Sequence, residues 1–298
     1  MKQWPYLQDN NIISLIAPAS AAPQDTFLKN LEFASKELNP SFHKNFNKPD
    51  LYFAQKKEFQ LKYLIESLDN ESPVLWSLRG GYGSMRLIPE LMQIKKPKIP
   101  KCFIGFSDNT ALHLFFTQKW NWPTLHGINF SSILNHQNEY KELLKILRGE
   151  LKEKTFKLKA LNSAAKKSSS ISGTITGGNF RIVQSSLRTP WEIKTKDKIL
   201  FLEDVGERAY SIDRMFEQMV QAKIINKDTK AIVLGNFVDG LEKDGRDLTP
   251  LTIKRWAQEM EIPVFGGLPC GHGSPNFTLP FNTPTVIESG RLTTSFNK

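Results

Sequence analysis

Apolar runs alternate with helix-spaced apolar positions through the first half of the chain. Residues 11–18, Asn11-Ile12-Ile13-Ser14-Leu15-Ile16-Ala17-Pro18, read as a buried strand stopped by proline. Over 25–38, Phe27, Leu28, Leu31, Ala34 and Leu38 fall at helical spacing, with Asp25 placed to cap. Leu61, Leu64, Ile65 and Leu68 predict a second amphipathic helix, which leads through Asn70-Glu71-Ser72-Pro73 into an apolar strand at 74–78. A glycine-rich turn, a short helix over 85–92 and a lysine- and proline-containing loop come next. The strand 102–106 then ends at Ser107, and a helix covers 109–120. Strands alternating with helices predict an α/β fold with a mostly parallel sheet covered on both faces.

The second half has a different rhythm. Strands are expected at 171–176, 198–202 and 231–235, helices at 212–220 and 251–260, and the tail is rich in turn residues. The division this suggests is an N-terminal domain over 1–142, a connector over 143–167 and a C-terminal domain over 168–298.

Charge sharpens that division. The chain has 298 residues, 40 Lys+Arg against 30 Asp+Glu, a net charge of +10 and a pI near 9.4. Much of the excess sits in 141–167, a short stretch running into Ser168-Ser169-Ser170, so a solvated connector explains it better than a nucleic-acid surface does. Neither a zinc-finger spacing nor an RNA-binding aromatic motif supports nucleic acid as a partner. Two cysteines, Cys102 and Cys270, make no disulfide framework and no CxxC pair. No apolar run approaches the roughly 18–20 residues of a membrane span, and the first residues lack the layout of a signal peptide. The expectation is a cytoplasmic protein that needs no membrane.

Four segments could carry chemistry. Gly105-Phe106-Ser107-Asp108 lies between an apolar strand and a helix, where a tight turn exposes a serine hydroxyl and aims the next N–H at a forming oxyanion. The strict G-x-S-x-G elbow fails because position 109 is Asn109, and Ser107 and Asp108 would also serve as helix caps. Arg79-Gly80-Gly81-Tyr82-Gly83-Ser84 is a second strand-to-helix turn whose glycines let backbone N–H groups approach an anion. It matches neither a dinucleotide fingerprint nor a phosphate loop. Leu202-Glu203-Asp204-Val205-Gly206-Glu207 places carboxylates at a strand end, suited either to orient a histidine or to cap the next helix. In Cys270-Gly271-His272-Gly273-Ser274, His272 alone of the five histidines is flanked by glycines. By contrast His113 reads as a packed helix residue, His126 as a loop residue able to line a cleft, and His43 and His136 as surface residues. Metal-ligand spacing is absent, so neither metal nor cofactor is expected. Serine, carboxylate and histidine on separate loops match a nucleophile, an orienting acid and a base.

Together these stretches resemble the LD-carboxypeptidase family of serine peptidases, which includes the microcin C immunity peptidases. The resemblance rests on five stretches: Ile16-Ala17-Pro18-Ala19-Ser20, Leu78 to Gly83, Gly105 to His113, Gly177-Gly178-Asn179 with Leu200 to Asp204, and Gly271-His272-Gly273. It implies Ser107 as nucleophile, Glu203 as orienting acid and His272 as base. The implied oxyanion donors are the backbone N–H of Asp108 and one from Gly80 or Gly81, and Arg79 and Tyr82 are candidate substrate contacts. It also implies an N-terminal doubly wound domain, a smaller C-terminal α/β domain, a site at their interface and a homodimer. The implied activity removes a C-terminal D-alanine from murein tetrapeptides in peptidoglycan recycling. Cleavage of a peptide–nucleotide conjugate is the nearest alternative, and a non-catalytic binder of peptidoglycan fragments is another. The chain departs from the family pattern at Ala54 to Lys57, at Ile128-Asn129, at Arg188 and at Asn282; none of these touches the triad, and they bear on the fine shape of the substrate pocket rather than on the reaction class.

Overall fold

In the computed structural model, which describes residues 4–296, the strands collect into two sheets. The first sheet starts with β1 (Ile12–Ile16), β2 (Asn39–Ser41), β3 (Val74–Ser77), β4 (Cys102–Gly105) and β5 (Thr124–His126). Their order, β5-β4-β3-β1-β2, is parallel throughout. Side chains alternate across a strand, so Val74, Trp76, Cys102 and Ile104 enter one apolar cluster while Leu75 and Phe103 enter another. Burial on both faces explains why these strands are nearly unbroken apolar runs. The order turns back at β1 and β3, and in such sheets ligands bind beyond the carboxyl ends of the strands at that point.

The second sheet is built from β6 (Glu153–Lys157), β7 (Lys159–Ala160), β8 (Ser170–Asn179), β9 (Lys198–Val205), β10 (Ala231–Val238) and β11 (Val264–Gly266). Beyond them come β12 (Leu279–Phe281), β13 (Pro284–Glu288) and β14 (Arg291–Ser295). The order is β6-β14-β13-β8-β9-β10-β11-β7, with β8 to β11 parallel and both flanks antiparallel. β12 leaves this sheet and pairs antiparallel with β5 of the first. The C-terminal half therefore closes the edge of the N-terminal sheet.

Several expectations are corrected here. The stretch expected as a connector, 143–167, holds the end of the helix Gln137–Leu147, then β6, β7 and the helix Ser163–Lys167. Its strands are the two edges of the second sheet, and Lys154, Lys157 and Lys159 lie on them. Lysines on edge strands keep the unpaired backbone from recruiting another chain, so this part of the positive charge belongs to sheet edges. The turn-rich tail carries four short strands. The helix expected over 85–92 is a 3₁₀ turn, Ser84–Leu87, followed by one turn of helix, Ile88–Leu91, with Pro89 in its first turn. Asp25 caps nothing: that helix starts after Pro23 without a side-chain cap.

The two halves also meet at the start of the helix that follows Ser107. A Cβ at Gly178, at the end of β8, would lie 2.5 Å from Thr110 Oγ1, which accepts the N–H of Asn179 at 2.9 Å. Thr110 opens the helix Thr110–Lys119, so β8 of the second sheet docks on the helix that follows β4 of the first. Among the described residues no helix is long and apolar enough to cross a membrane.

Candidate active site

The chain leaves β4 through a strained turn. Ser107 has φ +65°, a left-handed conformation uncommon outside glycine, and opens the 3₁₀ turn Ser107–Asn109 ahead of the helix Thr110–Lys119. Asn109 holds the turn: its Nδ2 donates to Phe106 O at 3.0 Å, to Asn129 Oδ1 at 3.2 Å and to Arg79 O at 3.3 Å. No side-chain cap bond forms at this helix start, so the capping role open to Ser107 and Asp108 is not used. Asp108 turns inward instead, accepting the N–H of Ser84 on Oδ2 at 2.8 Å, while Ser84 Oγ donates to its carbonyl at 2.6 Å. Burial pushes the Asp108 carboxyl up to about 6, against the hydrogen bonds it accepts.

The glycine turn after β3 lies against this serine. A Cβ at Gly80 would fall 2.8 Å from Ser107 Cβ and 3.1 Å from its Oγ, so only glycine lets the backbone come this near. Gly81 is pressed on Ser20 in the same way, and Ser20 donates its N–H to Gly80 O at 3.2 Å and accepts that of Tyr82 on Oγ at 3.2 Å. The ends of β1, β3 and β4 thus converge where the sheet order predicts a site.

From the other half come an acid and an imidazole. Glu203, near the end of β9, is wholly buried. Its Oε2 accepts both the ring N–H of His272, at Nδ1 and 2.7 Å, and the backbone N–H of His272, at 3.1 Å. Gly271 makes the approach possible: its φ is +114°, and a Cβ there would lie 2.6 Å from Glu203 Oε2. Its N–H donates to Asn276 Oδ1 at 2.9 Å. The His272 ring leans on Phe106, centroids 4.8 Å apart, and so contacts the residue before Ser107.

Three acidic candidates separate cleanly. Glu203 pairs with His272, whereas Asp204, on the opposite face of β9, accepts from Asn179 Nδ2 at 2.8 Å and from the N–H of Arg181 at 3.0 Å. Burial pushes Asp204 up to about 6. Glu207 is taken by Arg181 at 2.8 Å and by Ser211.

Burial alone would lower the His272 pKa, but the hydrogen bond and charge of Glu203, helped by Asp204 and Asp239, raise it above its ordinary 6.5. A protonated imidazole cannot take the proton of a serine. Hydrolysis by this site should therefore fall as pH drops through the His272 pKa, giving kcat/KM an acidic limb with its midpoint above 6.5. A pH profile of kcat/KM checks this, and a midpoint well below 6.5 would contradict it.

Ser107, Gly80, Gly81, Arg79 and His272 share one cleft of about 290 Å³ with Phe106, Asn129, Ser131 and Ser132. Arg79 is exposed and donates from Nη1 to Ala21 O at 2.9 Å. Tyr82 lies outside the cleft lining, with its ring against Tyr52 and Phe53. His126 is on β5 and wholly buried among Phe106, Phe201 and Phe281, which corrects its reading as a loop residue facing a cleft. Burial drives its pKa well below 6.5. His113 packs as expected, its ring nitrogens bonded to Gly105 O and Thr124 Oγ1 at 2.8 Å. Ser131 and Ser132 carry no signal in the sequence, although they follow β5 at the same sheet edge, and Asn129, a departure from the family pattern, lies beside them in the cleft. The parallel order alone could have pointed to them. Among the described residues no cluster of three His, Cys, Asp or Glu side chains could hold a metal ion.

Comparison with known proteins bears on this arrangement. Residues 13–127 match the LD-carboxypeptidase N-terminal domain and residues 172–287 the LD-carboxypeptidase C-terminal domain. A Rickettsia conorii protein, named provisionally as a carboxypeptidase, is 41% identical over 286 residues, 93% of this chain and 88% of its own length. The murein tetrapeptide carboxypeptidase of Pseudomonas aeruginosa is 29% identical over 295 residues, 94% of both chains. The muramoyltetrapeptide carboxypeptidase structure from Oxalobacter formigenes superposes with a TM-score of 0.77 at 25% identity, over 95% of this chain and 97% of that one. The structure of MccF with glutamyl sulfamoyl guanosine has a TM-score of 0.82 at 20% identity, over 97% of each chain, and shares the fold.

Proposed function

The chain belongs to the LD-carboxypeptidase family, and on that footing we propose that it is a serine carboxypeptidase that removes the C-terminal D-alanine of murein tetrapeptides. The observation that carries the reading is the buried Glu203–His272 pair opening on the cleft of the left-handed Ser107. Ser107 Oγ attacks the scissile carbonyl and passes its proton to His272 Nε2, the ring nitrogen that Glu203 leaves free. Glu203 holds the tautomer and balances the imidazolium. The oxyanion takes the N–H of Asp108 and one from Gly80 or Gly81. His272 returns the proton to the departing D-amino acid, and water then attacks the acyl-enzyme to regenerate Ser107. These steps call on no metal or organic cofactor. A cytoplasmic homodimer working in peptidoglycan recycling completes this reading.

Cleavage of a nucleotide conjugate fits the cleft less well. Phe106 is its one carbocyclic aromatic lining residue among those described, and His272 already covers that ring. Tyr82 stands outside.

An exopeptidase must also hold the terminal carboxylate, and Arg79 is the cation that lines the cleft. A charge-assisted hydrogen bond of this kind contributes about 1.5–3 kcal/mol, so Arg79→Ala should raise KM for the free-acid tetrapeptide about tenfold or more. The C-terminally amidated tetrapeptide should be a correspondingly poor substrate of the wild type. Equal turnover of free acid and amide would rule out the exopeptidase reading.

A further inference from the structure

Two segments wall the catalytic cleft, and both continue past it. Along the 3₁₀ turn Phe130–Asn135, Ser131 and Ser132 line the cleft, and Leu134 and Asn135 line a second cavity. Along the loop that follows Gly271, His272 lines the cleft, and Ser274 and Phe277 line the same second cavity. This neighbouring chamber measures about 610 Å³ and is open to solvent, with the start of the helix Gln137–Leu147 as part of its wall. A volume of this order holds a drug-sized ligand, far more than a departing alanine requires.

The chamber's chemistry is that of a peptide backbone in mirror. Asn135, Gln137, Asn138 and Ser274 line it and are exposed, so carboxamides and a hydroxyl offer both donors and acceptors to successive amides. Its one ionisable lining residue, Glu139, is buried and already occupied: Oε1 accepts the N–H of Asn276 at 3.2 Å. Asn276 in turn accepts the N–H of Gly271, the residue before His272, and the His272 ring is bonded to Glu203. Two hydrogen bonds and the Gly271–His272 peptide link thus tie the chamber wall to the catalytic histidine.

We propose that this chamber is the subsite for the peptide stem on the acyl side of the scissile bond, with Gln137 and Asn138 as its recognition residues. The proposal rests on the carboxypeptidase reading above and assigns the part of the substrate that the small cleft cannot hold. Stem binding also bears on the His272 loop through Glu139 and Asn276, so truncated substrates should lose kcat as well as affinity.

Binding to the Ser107→Ala protein tests this without turnover. In titration calorimetry the murein tetrapeptide should bind at least about tenfold more tightly than its C-terminal dipeptide, as expected for two or more added hydrogen bonds. Adding Gln137→Ala and Asn138→Ala should cut that advantage at least about threefold. Ser274→Trp, which fills the chamber from the opposite wall, should abolish it. An advantage that survives both variants, or a parent protein that binds the two peptides alike, overturns the proposal. Parallel incubation of the wild type with both peptides reports separately on the carboxypeptidase reading: absence of D-alanine release sinks that reading, while the binding comparison still judges the chamber.

Discussion

Ser107→Ala should lower kcat on murein tetrapeptide by a factor on the order of 10⁴–10⁶, with the thermal midpoint within a few degrees of wild type. The size follows from the role: without Oγ no acyl-enzyme forms, and only transition-state binding by the oxyanion donors remains. Stability should be kept because the hydroxyl makes no cap at the start of its helix. Alanine also keeps the Cβ that Gly80 packs against and accepts φ +65° at about the same cost as serine. Steady-state kinetics and a melting curve check both halves of the statement. Residual activity within tenfold of wild type would mean that the nucleophile lies elsewhere.

Glu203→Gln should cost about 10³–10⁴ in kcat. One carboxylate oxygen accepts two N–H groups of His272, from the ring at 2.7 Å and the backbone at 3.1 Å. Glutamine can keep that geometry through its carbonyl oxygen but carries no charge, so the imidazolium formed during attack loses its buried counter-ion. If the amide turns its NH₂ toward the ring, the backbone N–H loses its acceptor and Nδ1 must accept, which puts the ring proton on Nε2, where it cannot take one from serine. In either orientation the His272 pKa falls, because the bond and charge of Glu203 are what raise it. The residual activity should therefore show an acidic limb moved to lower pH. A large loss of kcat with an unmoved limb would show that Glu203 supports the fold and does not act on His272.

Much of the N-terminal sheet is visible in the sequence because its strands are buried on both faces and read as apolar runs. The edges are harder. β6 presents Lys154, Thr155 and Lys157 around a single buried residue, Phe156, and its lysines look like linker charge until its partner β14 is known. β12 reads as turn because it is three residues long and includes Pro280, yet it completes the first sheet.

The site divides in the same manner. Ser107 and the Gly80-Gly81 turn follow from strand, turn and helix in local sequence. The choice between Glu203 and Asp204 does not, since neighbouring strand residues face opposite ways and the deciding partner is 69 residues distant. The family resemblance selects Glu203, and the geometry brings that residue to His272. Ser131 and Ser132 are not legible because nothing in their local pattern distinguishes cleft from loop, and Asn129 shows only as a departure from the family pattern.

Mass spectrometry of murein tetrapeptide incubated with the wild-type protein tests the central claim most directly. The account predicts that the tetrapeptide is converted to tripeptide with release of one D-alanine and no other fragment. A tetrapeptide that stays intact beside folded protein, or one cut at an internal bond, would contradict it.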